Sequence, residues 1–270
     1  AKAQQEFDAF VDKLQAVGVE VIVVNDTKDT DTPDALFPNN WISFHENGDV
    51  AIYPMFAENR RLEKREDVLE ILEEKGFQIQ NVIDYSEAEE ETVFLEGTGS
   101  MVLDRTNSKA YCALSPRADE ELFIEFCEDF EFTPVVFLAN QTVNNHREAI
   151  YHTNVMMSVA ETFAIICLDT IDDKKERKSV LKQLKSDGKE IISITEKQVN
   201  QFAGNMLQVK GTNNDRFLVM STQAYKSLTT NQVQVIEKHC KIIHSSLETI
   251  ETCGGGSARC MLAEVFLPKN

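Results

Sequence analysis

Apolar residues recur at three-to-four spacing, with charges between them, over residues 3–17, 61–75, 119–130, 174–187 and 222–238. That period predicts five amphipathic helices. Each is followed at once by a short β-type run, at 19–24, 77–83, 133–137, 190–194 and 241–244. Two further runs around a turn signal then read as a hairpin. The pairs are 41–44 with 50–53, 101–104 with 110–114, 155–159 with 163–168, and 206–210 with 217–220. The pattern recurs every 55 residues or so, and such a period marks a propeller or an array of like units.

The fifth unit is short of one strand. After residues 241–244 a single long run, 258–267, follows, and the chain opens inside a helix. Closing five units into a ring removes exposed sheet edges and calls for a further strand upstream of Ala1. The expected fold is therefore α/β: one domain over residues 1–270, a five-bladed α/β-propeller of pseudo-fivefold ββαβ repeats around a central site. It lacks that N-terminal strand.

Asn40, Glu96, His152, Asn205 and Cys260 lead into the successive hairpins, at separations of 56, 56, 53 and 55 residues. In a cyclic repeat such positions share one height around the axis, so these side chains face a common cavity. A cysteine with a positioned histidine suits covalent catalysis, because the thiolate is the reactive form. A carboxylate can orient the imidazole and favour its protonated state. Cys260 follows the turn-prone run Gly254-Gly255-Gly256-Ser257-Ala258-Arg259. Asn205 reads as a structural turn residue.

Composition narrows the partners. With 45 acidic and 27 basic residues the formal charge is −18, which opposes binding to nucleic acid or an anionic membrane. No window of about 18 apolar residues offers a membrane span. The six cysteines fall mostly inside apolar runs and form no CxxC pair, the usage of free thiols in a reducing cytoplasm. The glycine runs are not phosphate loops, since no Gly-Lys-Ser/Thr follows them. His45, His146, His239 and His244 have no metal-ligand spacing; no metal or cofactor is expected. The loops 25–38 and 138–151 are long enough to cover a cavity. Association into a homo-oligomer is left open.

The motifs Gly254-Gly255-Gly256-Ser257-Ala258-Arg259-Cys260-Met261, Leu95-Glu96-Gly97-Thr98-Gly99, His152-Thr153-Asn154 and Pro33-Asp34-Ala35-Leu36-Phe37-Pro38-Asn39-Asn40 resemble the guanidino-group-modifying enzymes. These include arginine deiminase, dimethylarginine hydrolase and the amidinotransferases, which share the pentein fold, a five-bladed ββαβ propeller. The likeness runs from about Glu6 to Pro268. Leu114-Ser115-Pro116-Arg117 and Ser257 to Glu264 are most similar to the citrulline-utilisation hydrolases. The resemblance implies Cys260 as nucleophile, His152 as general acid/base and Glu96 as its companion acid. It puts Arg117 where relatives bind the substrate carboxylate, and Asp34 where a family aspartate meets the substrate amino group. Arg259 either assists the Cys260 thiolate or points away, as neighbours in a strand do.

Two departures bear on the substrate. Arginine deiminases grip the guanidinium with two aspartates, and here those positions are Asn40 and Asn154. An amide both donates and accepts without net charge, so the pair suits a neutral ureido group. The expected activity is hydrolysis of the ureido carbon of citrulline to ornithine, ammonia and carbon dioxide through a thiocarbamoyl enzyme. The competing activities are deimination or amidino transfer on arginine or a methylarginine, and non-catalytic binding on the same propeller. In either enzymatic case the partner is a small ureido or guanidino amino acid.

Overall fold

The computed structural model describes residues 1–26 and 31–269. Part of the 25–38 loop therefore lies outside the described residues. After an N-terminal helix (Lys2–Ala16), the chain lays down four copies of one unit. In the first, β1 (Ile42–Phe44) runs antiparallel to β2 (Asp49–Ile52), a helix (Asp67–Glu74) crosses over, and β3 (Asn81–Asp84) returns parallel to β2. The second has β4 (Met101–Asp104), β5 (Lys109–Ala113), a helix (Glu120–Asp129) and β6 (Thr133–Phe137). A separate hairpin of β7 (Asn140–Val143) and β8 (His146–Ala149) follows. The third unit comprises β9 (Met157–Val159), β10 (Phe163–Ile166), a helix (Lys174–Ser186) and β11 (Glu190–Ser193). The fourth comprises β12 (Leu207–Lys210), β13 (Arg216–Ser221), two helices and β14 (Lys241–Ser245). A helical crossover is what joining two parallel neighbours requires.

Burial falls from the middle strand of each unit to the third. β10 is fully buried and β5 and β13 nearly so, whereas β3 and β11 are mostly exposed. The apolar runs of the middle strands follow from cover on both faces. Asp119 and Asp173 cap the helices of the second and third units by accepting backbone N–H bonds. Between those units Lys189 is fully buried. Its Nζ donates to Asp104 and to the carbonyls of Ala160 and Glu161 at 2.9–3.0 Å. A lone buried charge would be costly, so the pair fixes one unit against the next.

Several expected elements differ. The helix expected at 222–238 is two, Thr222–Ser227 and Thr230–Glu237, because Thr229 starts a new one through a capping box with Gln232. The helix expected from residue 61 begins at Asp67, after a 3₁₀ turn (Glu58–Glu63). The strand expected at 77–83 pairs with β2 over Asn81–Asp84, while Phe77 bridges Lys269. The connection at 138–151 contains the β7–β8 hairpin, turned through Asn144 and Asn145 with φ of 49° and 64°.

The runs 19–24 and 258–267 do not pair as strands. Both line a cavity of about 1330 Å³, Val21 and Ile22 from one side and Leu262, Ala263 and Val265 from the other. With open space between them, neither forms a strand ladder among the described residues. Near the C-terminus Lys269 reaches Glu20 at 2.6 Å. No helix among the described residues is long and apolar enough to cross a membrane.

Candidate active site

The repeat carries one polar side chain to the start of each unit's first strand. Asn40 ends a 3₁₀ turn opened by Pro38, a residue whose fixed φ suits a first helical position. Glu96 precedes a single helical turn (Gly97–Ser100) that leads into β4. His152 precedes the 3₁₀ turn Thr153–Val155 before β9, and Asn205 stands two residues before β12. The three-glycine run closes the last helix (Glu248–Gly254), with Gly255 left-handed at φ 70°. Gly256 then passes so close to Phe37 that a Cβ there would lie 2.7 Å from its ring. Cys260 follows in a turn held by its N–H to the Ser257 carbonyl at 3.0 Å.

These side chains are buried, with Glu96 bonded to His152 and Asn205 to Cys260. His152 Nε2 meets Glu96 Oε2 at 2.5 Å. The other Glu96 oxygen accepts from the Phe56 N–H at 3.0 Å, and Arg117 Nη1 reaches Oε2 at 3.3 Å. Burial alone would raise the Glu96 carboxyl. The His152 hydrogen bond, with the charges of His152, Arg117 and Arg60, outweighs it and holds the group at about 2. Burial pushes the His152 imidazole down, against the pull of Glu96. With the carboxylate ionised, His152 Nε2–H donates to it. The remaining ring nitrogen, Nδ1, lies over Gly99. A Cβ on Gly99 would sit 3.0 Å from that nitrogen and 2.2 Å from Asn40 Nδ2, so only glycine fits.

Around the sulfur stand two amides. Asn205 Nδ2 donates to Cys260 Sγ at 3.1 Å and Asn154 Nδ2 approaches it at 3.7 Å. Asn205 is further fixed by the Arg259 N–H to its Oδ1 at 3.0 Å. Asn154 also donates to the Thr98 carbonyl at 3.3 Å, which leaves its Oδ1 without a partner among the described residues. Asn40 Nδ2 and both amide atoms of buried Asn39 are likewise unpartnered. Asn40 Oδ1 accepts from Arg60 Nη1 at 2.9 Å. Above Cys260 opens a cavity of about 230 Å³, lined by Gln141, Tyr151, Asn200, Phe202 and Asn205 among others, with no charged side chain.

Of the residues expected from the sequence, Glu96 and His152 meet each other, and Cys260 meets Asn154. Arg117 touches Glu96 and lies 5.5 and 5.4 Å from the Phe56 and Tyr151 rings. Asp34 is half-buried, and its carbonyl accepts from Arg60 Nη2 at 3.4 Å. Arg259 turns away from the sulfur to the Leu262 carbonyl (2.9 Å) and Glu264 (3.5 Å), facing the larger cavity. Reading Asn205 as a turn residue misses its contact with the thiol, although the repeat had singled the position out. Arg60 and Glu63 went unnoticed; their i,i+3 spacing was the available signal.

Of the six thiols Cys260 lines the smaller cavity, whereas burial pushes Cys127 up to about 12, Cys167 to about 11, and Cys112 and Cys240 upward as well. Cys253 is exposed. Iodoacetamide near neutral pH should therefore modify Cys260 and Cys253 in the folded protein and spare the other four. In Cys253→Ser, labelling should be confined to Cys260, as read by peptide mass spectrometry. An inert Cys260, or equal labelling of the buried four, would contradict this geometry.

The pattern of the family described as N,N dimethylarginine dimethylhydrolase, eukaryotic, matches residues 1–267. No curated protein matches the chain. Among solved structures, apo ArgZ, an arginine dihydrolase from the ornithine–ammonia cycle in cyanobacteria, superposes with a TM-score of 0.74 at 16% identity, over 99% of this chain and 38% of ArgZ. AgrE in ternary complex with ornithine and NAD+ gives 0.74 at 15% identity, over 100% of this chain and 35% of AgrE. The chain thus spans less than two-fifths of either protein. A dimethylarginine dimethylaminohydrolase carrying an S-methyl-L-thiocitrulline adduct gives 0.64 at 15% identity, over 96% of this chain and 87% of that one. At these identities the likenesses speak for a shared α/β fold. The match over residues 1–267 settles the lineage: the chain belongs to the eukaryotic N,N dimethylarginine dimethylhydrolase family, within the pentein superfamily of guanidino-modifying enzymes.

Proposed function

We propose that the protein is a cysteine hydrolase acting on the terminal C–N bonds of a guanidino amino acid, arginine or an N-methylated arginine. The observation that carries this reading is a thiol with two amide contacts beside a buried Glu96–His152 pair, in a chain of this family. Family membership favours the guanidino group over the citrulline expected from the sequence alone. ArgZ, described as an arginine dihydrolase, supports the same class.

In this mechanism His152 Nδ1 takes the Cys260 proton, and the thiolate attacks the guanidino carbon. The amide N–H groups of Asn205 and Asn154 steady the sulfur. His152 then gives its proton to the departing ammonia or methylamine, and the carbon remains bonded to Sγ. Glu96 stabilises the imidazolium that forms between these steps. Water, deprotonated by His152, adds to the carbon; the C–S bond breaks and a ureido amino acid leaves. Arg117 and Asp34 are the candidates for holding the substrate's amino-acid end, beside Tyr151.

A second reading, hydrolysis of the ureido group itself, is favoured by one feature. Asn40 presents a free donor and Asn154 a free acceptor, the complement of a ureido oxygen and N–H, and the smaller cavity at Cys260, which neither amide lines, carries no charge to meet a cation. Attack on the ureido carbon would release ammonia and leave a thiocarbamoyl enzyme. Hydrolysis of that would give ornithine and carbon dioxide, with one water consumed. The two readings can run in sequence, since the first product is the second substrate.

We further infer that the four paired units and the runs 19–24 and 261–267 form five blades of one closed propeller. The middle strand of the fifth blade would come from chain preceding the helix Lys2–Ala16. In every paired unit the middle strand lies between the other two and is the last strand before the helix. The cavity lined by the two unpaired runs supports this reading, since such a strand would fill it. A crystal structure of a chain extended upstream of Ala1 should show a strand there, antiparallel to 261–267; a solvent-filled gap would refute closure.

Product analysis tests the chemistry. Incubation with L-arginine, asymmetric dimethylarginine and L-citrulline should release ammonia or dimethylamine from at least one guanidino substrate, and Cys260→Ser should abolish it. Ornithine formed from citrulline would establish the second reading. Consumption of none of the three would sink both.

A further inference from the structure

We infer that Arg60 is a specificity-determining positioning residue that locks the Asn40 amide with its Nδ2 away from Arg60, on the side of Gly99 and His152, tipping the site toward a ureido group; this rests on the second reading above. The side chain of Arg60 is nearly fully buried, at 5% exposure. It is held on three sides: by Glu63 through Nε and Nη2 at 2.9 and 2.8 Å, by the Phe37 carbonyl at 3.2 Å and by the Asp34 carbonyl at 3.4 Å. The fourth contact is Nη1 to Asn40 Oδ1 at 2.9 Å.

A guanidinium has donors only, whereas an amide has an oxygen that accepts and a nitrogen that donates. Arg60 can therefore be satisfied by only one of the two orientations of Asn40. Turning the amide over would set N–H against N–H in a buried place. The nitrogen is thus forced away from Arg60, where it stands buried and without a partner beside His152 Nδ1, above Gly99. Asn154 is locked in the opposite sense. Its nitrogen is spent on the Thr98 carbonyl and the Cys260 sulfur, so its oxygen is free. Two asparagines of identical chemistry are held as one donor and one acceptor. A ureido group, with one oxygen and its N–H groups, satisfies both, whereas a guanidinium offers Asn40 only another donor.

The test compares wild type, Arg60→Lys and the double variant Arg60→Gln/Glu63→Gln, which removes both buried charges together. Two readouts are taken: kcat/KM for L-citrulline against L-arginine, and the rate at which iodoacetamide labels Cys260 without ligand. The double variant should lose about ten- to hundredfold of the citrulline-to-arginine ratio, the size of one mispaired buried hydrogen bond. Its Cys260 labelling should stay within about twofold of wild type, and Arg60→Lys, which still only donates, should keep most of the ratio. An unchanged ratio in the double variant, or an equal loss in Arg60→Lys, overturns the inference. If the double variant does not fold, Glu63→Gln alone decides, because it loosens Arg60 from the far side: a partial fall supports the lock and an unchanged ratio refutes it. A wild type that turns over arginine but not citrulline defeats the ureido reading separately. Freeing the amide must then raise kcat/KM for arginine, and no rise refutes the Arg60 role.

Discussion

Glu96 is a carboxylate with no exposure to solvent, and the arrangement of the site follows from the need to compensate it. An isolated ionised carboxylate in such a place would be prohibitively costly. It is ionised because His152, Arg117 and the Phe56 N–H converge on it from three different parts of the chain. That convergence fixes the imidazole by one nitrogen and leaves the other over Gly99. It also holds the hairpin of the first unit, through Phe56, against the start of the second. The pair therefore belongs to packing as much as to chemistry.

The amides around it obey the same rule of satisfying buried polar atoms, with deliberate exceptions. Asn205 has both ends of its amide engaged, one on the thiol and one on the backbone N–H before it. Asn40 and Asn154 each have one end engaged and one free. In a buried site, free polar atoms of this kind mark where a ligand completes the network. Relatives with aspartates at both places would present acceptors only. Here the protein supplies a mixed pair without charge, and the charges near it are those of Glu96 with His152 and Arg117, and of the Arg60–Glu63 pair.

Much of the architecture was legible in the sequence because its periodicities are strong. The helix expected at 119–130 is Glu120–Asp129, the one expected at 174–187 is Lys174–Ser186, and the four hairpins lie where the turn signals put them. What escaped had a physical reason. The β7–β8 hairpin has β8 wholly exposed, so no apolar alternation announces it. Residues 222–238 keep a helical period across Leu228, and only the Thr229–Gln232 capping box reveals the break. The runs 19–24 and 258–267 have strand composition but no neighbour to pair with, and pairing is a property of the whole fold. At the site, Glu96, His152 and Cys260 were visible through repeat and motif. Arg60 was not, since a charged residue next to a predicted helix reads as solvated until its burial against Glu63 is seen.

The central claim is that Cys260 forms a covalent bond to the substrate's guanidino or ureido carbon with help from His152. Acid-quenching the enzyme during turnover of arginine or citrulline labelled with ¹³C at that carbon, followed by peptide mass spectrometry, tests it most directly. The account predicts a labelled adduct on the peptide containing Cys260, absent in Cys260→Ser and much reduced in His152→Ala. Substrate consumption with no such adduct, and with Cys260→Ser still active, would contradict it.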